Sequence, residues 1–207
     1  MIRSSKPLAV AFTALLLAAS QAKAQQLAVN FTQPGVDFSN NAWSLGWSFN
    51  VLTPISVSAL GMYDDNADGF VDGSHDVGIW DGLGNLLGSA TVTSTSRLNG
   101  FFRMIDVSPF LLGVGTDYRI ASTTGRDNYT WATVGKTVDP NIEFIGDAYE
   151  ESATLAYPSI GPGGEDGWYG ANFESAAVVV PEPATFALMA PLVLVIGGVM
   201  RRRAKRA

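Results

Sequence analysis

The sequence contains no cysteine and a single histidine, His75. Without cysteine the chain can form no disulfide bond, and thiol catalysis and thiolate metal sites are excluded. With one histidine there is one possible base for a Ser-His-Asp triad, and no Gly-x-Ser-x-Gly motif accompanies it. We therefore expect His75 to be a loop residue, and stability to come from an apolar core or from bound ions.

Basic residues are scarce between the two ends of the chain. Eight of the 13 Lys and Arg residues lie within residues 1–24 or 181–207, whereas only Glu182 of the 19 acidic residues does. Residues 25–180 therefore carry 18 acidic and 5 basic side chains, a formal charge of −13. Such a surface repels phosphate backbones, so nucleic acid is excluded as a partner and divalent cations are favoured.

The N-terminal residues have the three parts of a secretory signal peptide. Arg3 and Lys6 precede an apolar stretch at residues 8–19, and Ala22-Lys23-Ala24 forms an A-x-A cleavage site. We predict that residues 1–24 are removed on export across the inner membrane. A 12-residue apolar stretch is too short to span a bilayer comfortably, which argues against an uncleaved anchor helix.

The C-terminal residues predict a membrane segment. A linker at 176–183 with the motif Pro181-Glu182-Pro183 precedes 17 residues without charge, 184–200, near the lower length limit for a transmembrane helix. Residues 201–207 are basic, including Arg201, Arg202 and Arg203, and basic residues that follow an apolar segment stay cytoplasmic. Everything before Pro181 should therefore lie outside.

The order Pro-Glu-Pro, short apolar helix and arginine cluster resembles the PEP-CTERM sorting signal of Gram-negative, exopolysaccharide-producing bacteria. The resemblance implies an exosortase-type membrane transpeptidase as partner, and a destination in the cell envelope, at the cell surface or in the extracellular matrix. Residues 49–122 are also similar to a domain found in such proteins, for example in Leu60-Gly61-Met62-Tyr63-Asp64 and Val77-Gly78-Ile79-Trp80-Asp81. That similarity implies a β-sandwich of uncharacterised function.

The body, residues 25–175, is predicted to be all-β, a single antiparallel β-sandwich of jelly-roll-like type. Alternating or aromatic runs between Gly, Asp, Asn and Pro residues predict strands at 45–51, 56–63, 77–80, 86–93, 100–107, 117–122, 141–145 and 167–174. Residues 77–93 should form a hairpin through Gly84-Asn85. Pro109 is expected in a crossover loop, residues 125–170 mainly in long loops, and Trp43, Trp47 and Trp80 in the core.

An acidic segment, residues 64–76, resembles a calcium loop. Its ligand candidates are Asp64, Asn66 and Asp68 at the first, third and fifth positions, the Phe70 carbonyl at the seventh and Asp72 at the ninth, with Gly69 at the turn. His75 replaces the usual final glutamate, and Asp76, one residue later, completes the site only if the loop bulges. An EF-hand is therefore disfavoured, and the alternatives are a structural Ca²⁺ loop or a solvated turn.

Aromatic residues in loop-like contexts, Tyr129, Trp131, Trp168 and Tyr169, can stack on sugar rings or pack beneath a long loop. The leading hypothesis is a non-enzymatic envelope or exopolysaccharide-matrix protein that binds carbohydrate. The alternative is a secreted carbohydrate-active hydrolase that uses two carboxylates. Its candidate carboxylates are Glu143, Glu150, Glu151, Glu165 and Glu174, among which no spacing selects a pair.

Overall fold

The computed structural model describes residues 25–164 and 166–178. The predicted signal peptide at 1–24, the Pro181-Glu182-Pro183 motif, the apolar segment 184–200 and the basic residues 201–207 lie outside the described residues, as does Glu165. Among the described residues there is no helix long and apolar enough to cross a membrane.

The described part of the chain is all-β, without a helix, and its strands pair antiparallel in two five-stranded and two two-stranded sheets. The first large sheet has the order β1 (Gln26–Leu27), β14 (Ala171–Ala177), β5 (Ile55–Tyr63), β9 (Phe102–Leu112), β8 (Arg97–Asn99). The second has the order β13 (Ile142–Glu151), β4 (Asn41–Val51), β10 (Gly115–Gly125), β6 (Ser74–Trp80), β7 (Leu86–Thr93). The small sheets pair β3 (Val36–Phe38) with β11 (Tyr129–Trp131), and β2 (Val29–Asn30) with β12 (Thr137–Val138).

The two large sheets pack against each other around an aromatic core. Trp47 and Phe49 of β4 meet Phe173 of β14, with ring centroids 5.8 and 5.3 Å apart. The Trp47 indole Nε1 also donates a hydrogen bond of 2.9 Å to the carbonyl of Ala171, so its one polar atom is satisfied in the core. Val51, on the same face of β4, is buried too, as the period of two predicts.

Each of the eight predicted strands has a counterpart among the longer strands. The hairpin at residues 77–93 is confirmed: β6 and β7 pair antiparallel. Asp81 shapes the turn, because its carboxylate accepts hydrogen bonds from the backbone N–H groups of Leu83 and Asn85, both at 2.9 Å. Gly84 has a φ of 83°, a backbone conformation that favours glycine.

Three local predictions need correction. Pro109 lies inside β9, at a register shift between the Val57–Phe110 and Ala59–Asp106 pairs, where a missing N–H is tolerated. Within 125–170 the strand predicted at 141–145 is longer than expected, because β13 pairs with β4 as far as Glu151, and the short strands β11 and β12 were not predicted. His75 lies in β6, because the loop before that strand ends earlier than its polar composition suggests.

The interior strand β4 is covered on its outer face as well. The Ser44 hydroxyl donates to the carbonyl of Ala156 (2.8 Å), and the Trp168 N–H donates to the carbonyl of Gly46 (3.1 Å). The segment between β13 and β14 therefore lies across this sheet. Of the tryptophans predicted in the core, Trp47 and Trp80 are buried and Trp43 is half-buried.

Candidate functional site

The acidic segment connects β5 to β6, and its first carboxylate is the most constrained. The Asp64 side chain is fully buried and accepts hydrogen bonds from the Gly69 N–H (3.1 Å) and from Nε of Arg103 (2.6 Å). A sharp turn makes this possible, since Ala67 and Gly69 both have positive φ, 59° and 97°. The buried carboxylate is thus neutralised by a guanidinium from β9.

Arg103 binds more than this carboxylate. Its Nη1 donates to the carbonyl of Ser96 (3.1 Å) and its Nη2 to the carbonyl of Ala67 (2.9 Å). One arginine therefore binds a carboxylate and a carbonyl oxygen of the acidic segment and a second carbonyl oxygen from the connection between β7 and β8. These are also the oxygen types that a calcium ion collects, so Arg103 supplies part of the positive charge that the loop requires.

Asp64, Asp65 and Asp68 form an acidic triad that can hold a metal ion. Each offers one carboxylate oxygen, and the three oxygens lie within 4.8 Å of one another. Hard cations such as Ca²⁺ are bound by such converging oxygens. Asp65 also accepts a hydrogen bond of 2.9 Å from the side-chain amide of Asn128, which places that carboxylate. Asp68 is exposed, and so is Asn66, the predicted third-position ligand.

The remaining predicted ligands face other partners. Asp72 pairs with Arg126, whose Nε lies 2.6 Å from its Oδ1 and whose backbone N–H lies 2.8 Å from its Oδ2. The backbone N–H and then the guanidinium of Arg126 lower the pKa of Asp72. Asp76 accepts a hydrogen bond of 2.6 Å from the Thr91 hydroxyl, and the Phe70 carbonyl accepts one of 3.1 Å from the Gly73 N–H.

Asp127 and His75 stabilise the second half of the loop, residues 70–73. The Asp127 carboxylate accepts hydrogen bonds from the backbone N–H groups of Val71 (2.6 Å) and Asp72 (3.0 Å), and lies 2.8 Å from Nε2 of His75. Both side chains are buried, and the His75 ring packs edge-on against Phe70 at 4.9 Å. Through Asp127 and Phe70, His75 therefore helps to hold the second half of the loop in place.

The four aromatic residues predicted to bind sugar lie together. The Trp168 ring stands edge-to-face between Tyr129 (5.6 Å) and Trp131 (6.1 Å), and a backbone bridge joins Thr130 to Tyr169. Tyr129 and Tyr169 are buried, whereas Trp131 is 39% exposed. Trp131, Trp168 and the exposed Phe38 of the neighbouring strand form the accessible part, which we call the aromatic strip.

A polar network adjoins the aromatic strip. The Tyr169 hydroxyl donates to Asp166 (2.6 Å), and Nζ of Lys136 donates to the Tyr169 oxygen (3.0 Å) and lies 4.3 Å from the centre of the Phe144 ring. Asp166 also accepts from the Ala132 N–H, next to Trp131 in the chain. Burial opposes ionisation of Asp166, but the hydrogen bonds from Tyr169 and backbone N–H groups keep its pKa below the usual value.

The glutamates named for a hydrolase lie on different sheets. Glu143, Glu150 and Glu151 belong to β13, at the edge of the second large sheet, whereas Glu174 belongs to β14 in the first. Glu174 is buried and paired with Arg97, at 2.8 Å from Nη1. Burial raises the pKa of Glu174, but the hydrogen bonds from Arg97 and Asn99 lower it by more, so that the pKa is below its usual value.

Three residues that organise these sites were not predicted. Asp65 falls on the second position of the calcium pattern, which supplies no ligand there, although the doubled Asp64-Asp65 was visible in the sequence. Arg103 is one of only five basic residues among 18 acidic ones in the body, and this scarcity was the sequence's indication that it pairs with a carboxylate. Asp127 is distant from the loop in the sequence and carried no signal.

The model of a family described as a domain of unknown function, DUF4082, matches residues 31–158. The matched range includes the acidic triad and Trp131, and ends before Trp168 and before β14. No curated protein and no solved structure matches the chain.

Proposed function

The chain belongs to the DUF4082 family, and we propose that it is an exported, non-enzymatic protein of the cell envelope or exopolysaccharide matrix that binds carbohydrate through its aromatic strip. The observation that carries the proposal is the half-exposed ring of Trp131, next to Trp168 and beside the polar groups of Asp166 and Lys136. The jelly-roll-like sandwich predicted from the sequence is part of this proposal, supported by the two packed antiparallel sheets.

Sugar recognition needs a flat apolar face and nearby hydrogen-bonding groups. The apolar face of a pyranose ring stacks on tryptophan, while its hydroxyl groups bind carboxylates and amines at the edge of the ring. Asp166 is ionised at neutral pH because its pKa is lowered, and the side chains of Asp166 and Lys136 remain about one-third exposed. The aromatic strip supplies the apolar face, and the adjoining Asp166 and Lys136 supply the polar groups, with Asp166 bound to the Ala132 N–H next to Trp131.

The destination is supported by the two ends of the sequence. A cleavable signal peptide at 1–24 directs export, and the PEP-CTERM-like tail at 181–206 directs sorting by an exosortase-type transpeptidase. The apolar segment 184–200 inserts in the membrane before processing, since 17 residues without charge are followed by arginines. The strongly acidic body favours divalent cations as partners at that destination.

A structural calcium ion is the second component of the proposal. The acidic triad supplies three carboxylates from one turn, and Arg103 neutralises only Asp64 among them. The exposed Asp68 and the half-buried Asp65 retain negative charge that a hard cation would offset. In a chain without disulfides, such an ion would fix the loop between β5 and β6.

Carbohydrate binding can be tested with the full chain in detergent and the exopolysaccharide of a producing bacterium as the probe. We expect retardation in affinity electrophoresis, lost in Trp131→Ala and kept in Trp43→Ala, a matched half-buried tryptophan that packs on Tyr149. Binding that survives Trp131→Ala would refute the role of the strip. Release of reducing sugar that Glu150→Gln or Glu143→Gln abolishes would favour a hydrolase instead.

The calcium component has its own measurement. At about 5 mM Ca²⁺ and a dissociation constant of about 0.5 mM, typical of extracellular modules, the ion stabilises the fold by roughly 1.4 kcal/mol. Asp68→Asn removes a ligand that is exposed, so it should abolish the shift in melting temperature without lowering stability in EDTA. An unchanged calcium shift in this variant would remove the triad from the proposal.

A further inference from the structure

One end of the body carries a group of exposed apolar side chains. The connections β4–β5 and β9–β10 lie there, because Ile55 pairs with Leu112 and Val51 with Gly115. The connection β6–β7 lies beside them, because Trp80 pairs with Arg119 near the start of β10. Each has an apolar residue at its tip: Leu52, Leu83 (89% exposed) and Val114 (67% exposed). We call these three loop tips the apolar end.

The chain leaves the body at the same end. The last strand, β14, finishes at Ala177 opposite Ile55, and the Val178 N–H donates a hydrogen bond of 3.0 Å to the carbonyl of Pro54. Pro54 follows Leu52 by two residues. The exit point of the chain is therefore built into one of the three loops of the apolar end.

The sequence beyond this point limits its distance from a membrane. Five residues, 179–183, separate Val178 from the apolar segment 184–200. Even a fully extended connection of six steps places residue 184 no more than about 22 Å from Val178. The opposite end of the body, where Tyr63 pairs with Phe102, is farther away by the length of β5, about 30 Å.

We propose that the apolar end rests on the outer surface of the bilayer that segment 184–200 enters, with Leu83 and Val114 inserted among the lipid headgroups. The proposal rests on the membrane attachment stated under the proposed function. Exposed apolar side chains grouped at one place mark interaction sites, and a bilayer is the apolar phase that the exit point brings within reach.

The charges around the apolar end set the depth and the lipid dependence of this contact. Asp81 and Asp117 stand at its rim, and Arg119, which pairs with Asp117, is buried. The side chain and backbone N–H of Asn85 lower the pKa of Asp81, so this carboxylate stays ionised and must stay in the headgroup layer. No exposed lysine or arginine is found at this end in the described part of the chain, so anionic lipid should not strengthen the contact.

The absence of cysteine allows single-cysteine labelling of the full chain. Leu83→Cys reports on the apolar end, and Leu98→Cys is the matched control, an exposed leucine that pairs with Arg103 near the opposite end. Both variants, labelled with an environment-sensitive fluorophore, are reconstituted into phosphatidylcholine vesicles that contain nitroxide lipids. Co-flotation with the vesicles reports attachment by the tail independently of the label.

At an interfacial depth of about 5–10 Å, the label at position 83 should be quenched by shallow nitroxides at least about twofold more than the label at position 98. Val114→Asp in the same background should reduce the quenching, while 30% anionic lipid should not increase it. Equal quenching of the two labels in chains that float would overturn the proposal while leaving attachment intact. Chains that do not float would overturn both the membrane attachment and the contact. If the fluorophore at position 83 is shielded from water only at high protein density and is not quenched by the nitroxide lipids, the apolar end binds a second copy of the chain instead.

Discussion

Replacement of Arg103 by methionine tests whether a guanidinium substitutes for a cation in the acidic loop. The side chain of Asp64 is fully buried, and that of Arg103 is 15% exposed. Removal of one partner of a buried ion pair leaves an uncompensated charge and typically costs about 3–5 kcal/mol. Because Arg103 reaches solvent, we expect a loss near the lower limit, about 3 kcal/mol, without calcium.

The assay is urea unfolding of the full chain in detergent, in EDTA and in millimolar calcium. Arg126→Met is the matched control, because the Arg126–Asp72 pair is exposed on the arginine side and should contribute no more than about 1 kcal/mol. Calcium should stabilise Arg103→Met more than the unmodified chain, since the guanidinium no longer competes for Asp64. If Arg103→Met is as stable as Arg126→Met in EDTA, the neutralising role of Arg103 is refuted.

Three further predictions concern the body. Phe173→Ala removes the ring on which Trp47 packs and should lower the free energy of unfolding by about 3–5 kcal/mol in urea titration; a loss below about 1 kcal/mol would mean that the sheets do not pack there. Asp127→Ala breaks two backbone hydrogen bonds and the contact with His75, and should cost about 2–4 kcal/mol and expose the loop to proteolysis before residue 74. Burial, and then the hydrogen bond to Asp166, raises the pKa of Tyr169 above its usual value near 10. The unfolded state therefore loses this proton at lower pH than the folded state, and the free energy of unfolding should fall above pH 10. Tyr169→Phe should flatten this alkaline decline, and an unchanged slope would contradict the prediction.

The strands were predictable because one face of each carries a local pattern. In β4 the alternation of Trp47, Phe49 and Val51 marked the core face, and the Gly84-Asn85 dipeptide marked the hairpin. The short strands β2, β3, β11 and β12 were not predicted, since two or three residues contain no period. Their pairing joins residues about 100 positions apart, which no local pattern specifies.

The candidate metal site was predictable only in part. The spacing of Asp64 and Asp68 indicated two of the three carboxylates that converge, because both lie within one turn. Asp72 met the spacing but binds Arg126, in the connection between β10 and β11. Asp76, which lies one residue beyond the last position of the pattern, binds Thr91 of β7. The spacing of acidic residues shows which carboxylates one loop can bring together. Contacts with other parts of the fold decide which of them remain free to bind a metal ion.

The position of β14 has a mechanical consequence. This strand is the last before the tail, yet it is interior to its sheet, with β1 on one side and β5 on the other. Tension applied beyond Val178 therefore runs along a strand whose hydrogen bonds lie across the direction of pull. The bonds of seven residues are loaded together in shear and do not open one at a time, so the body should resist extraction by a force on its tail.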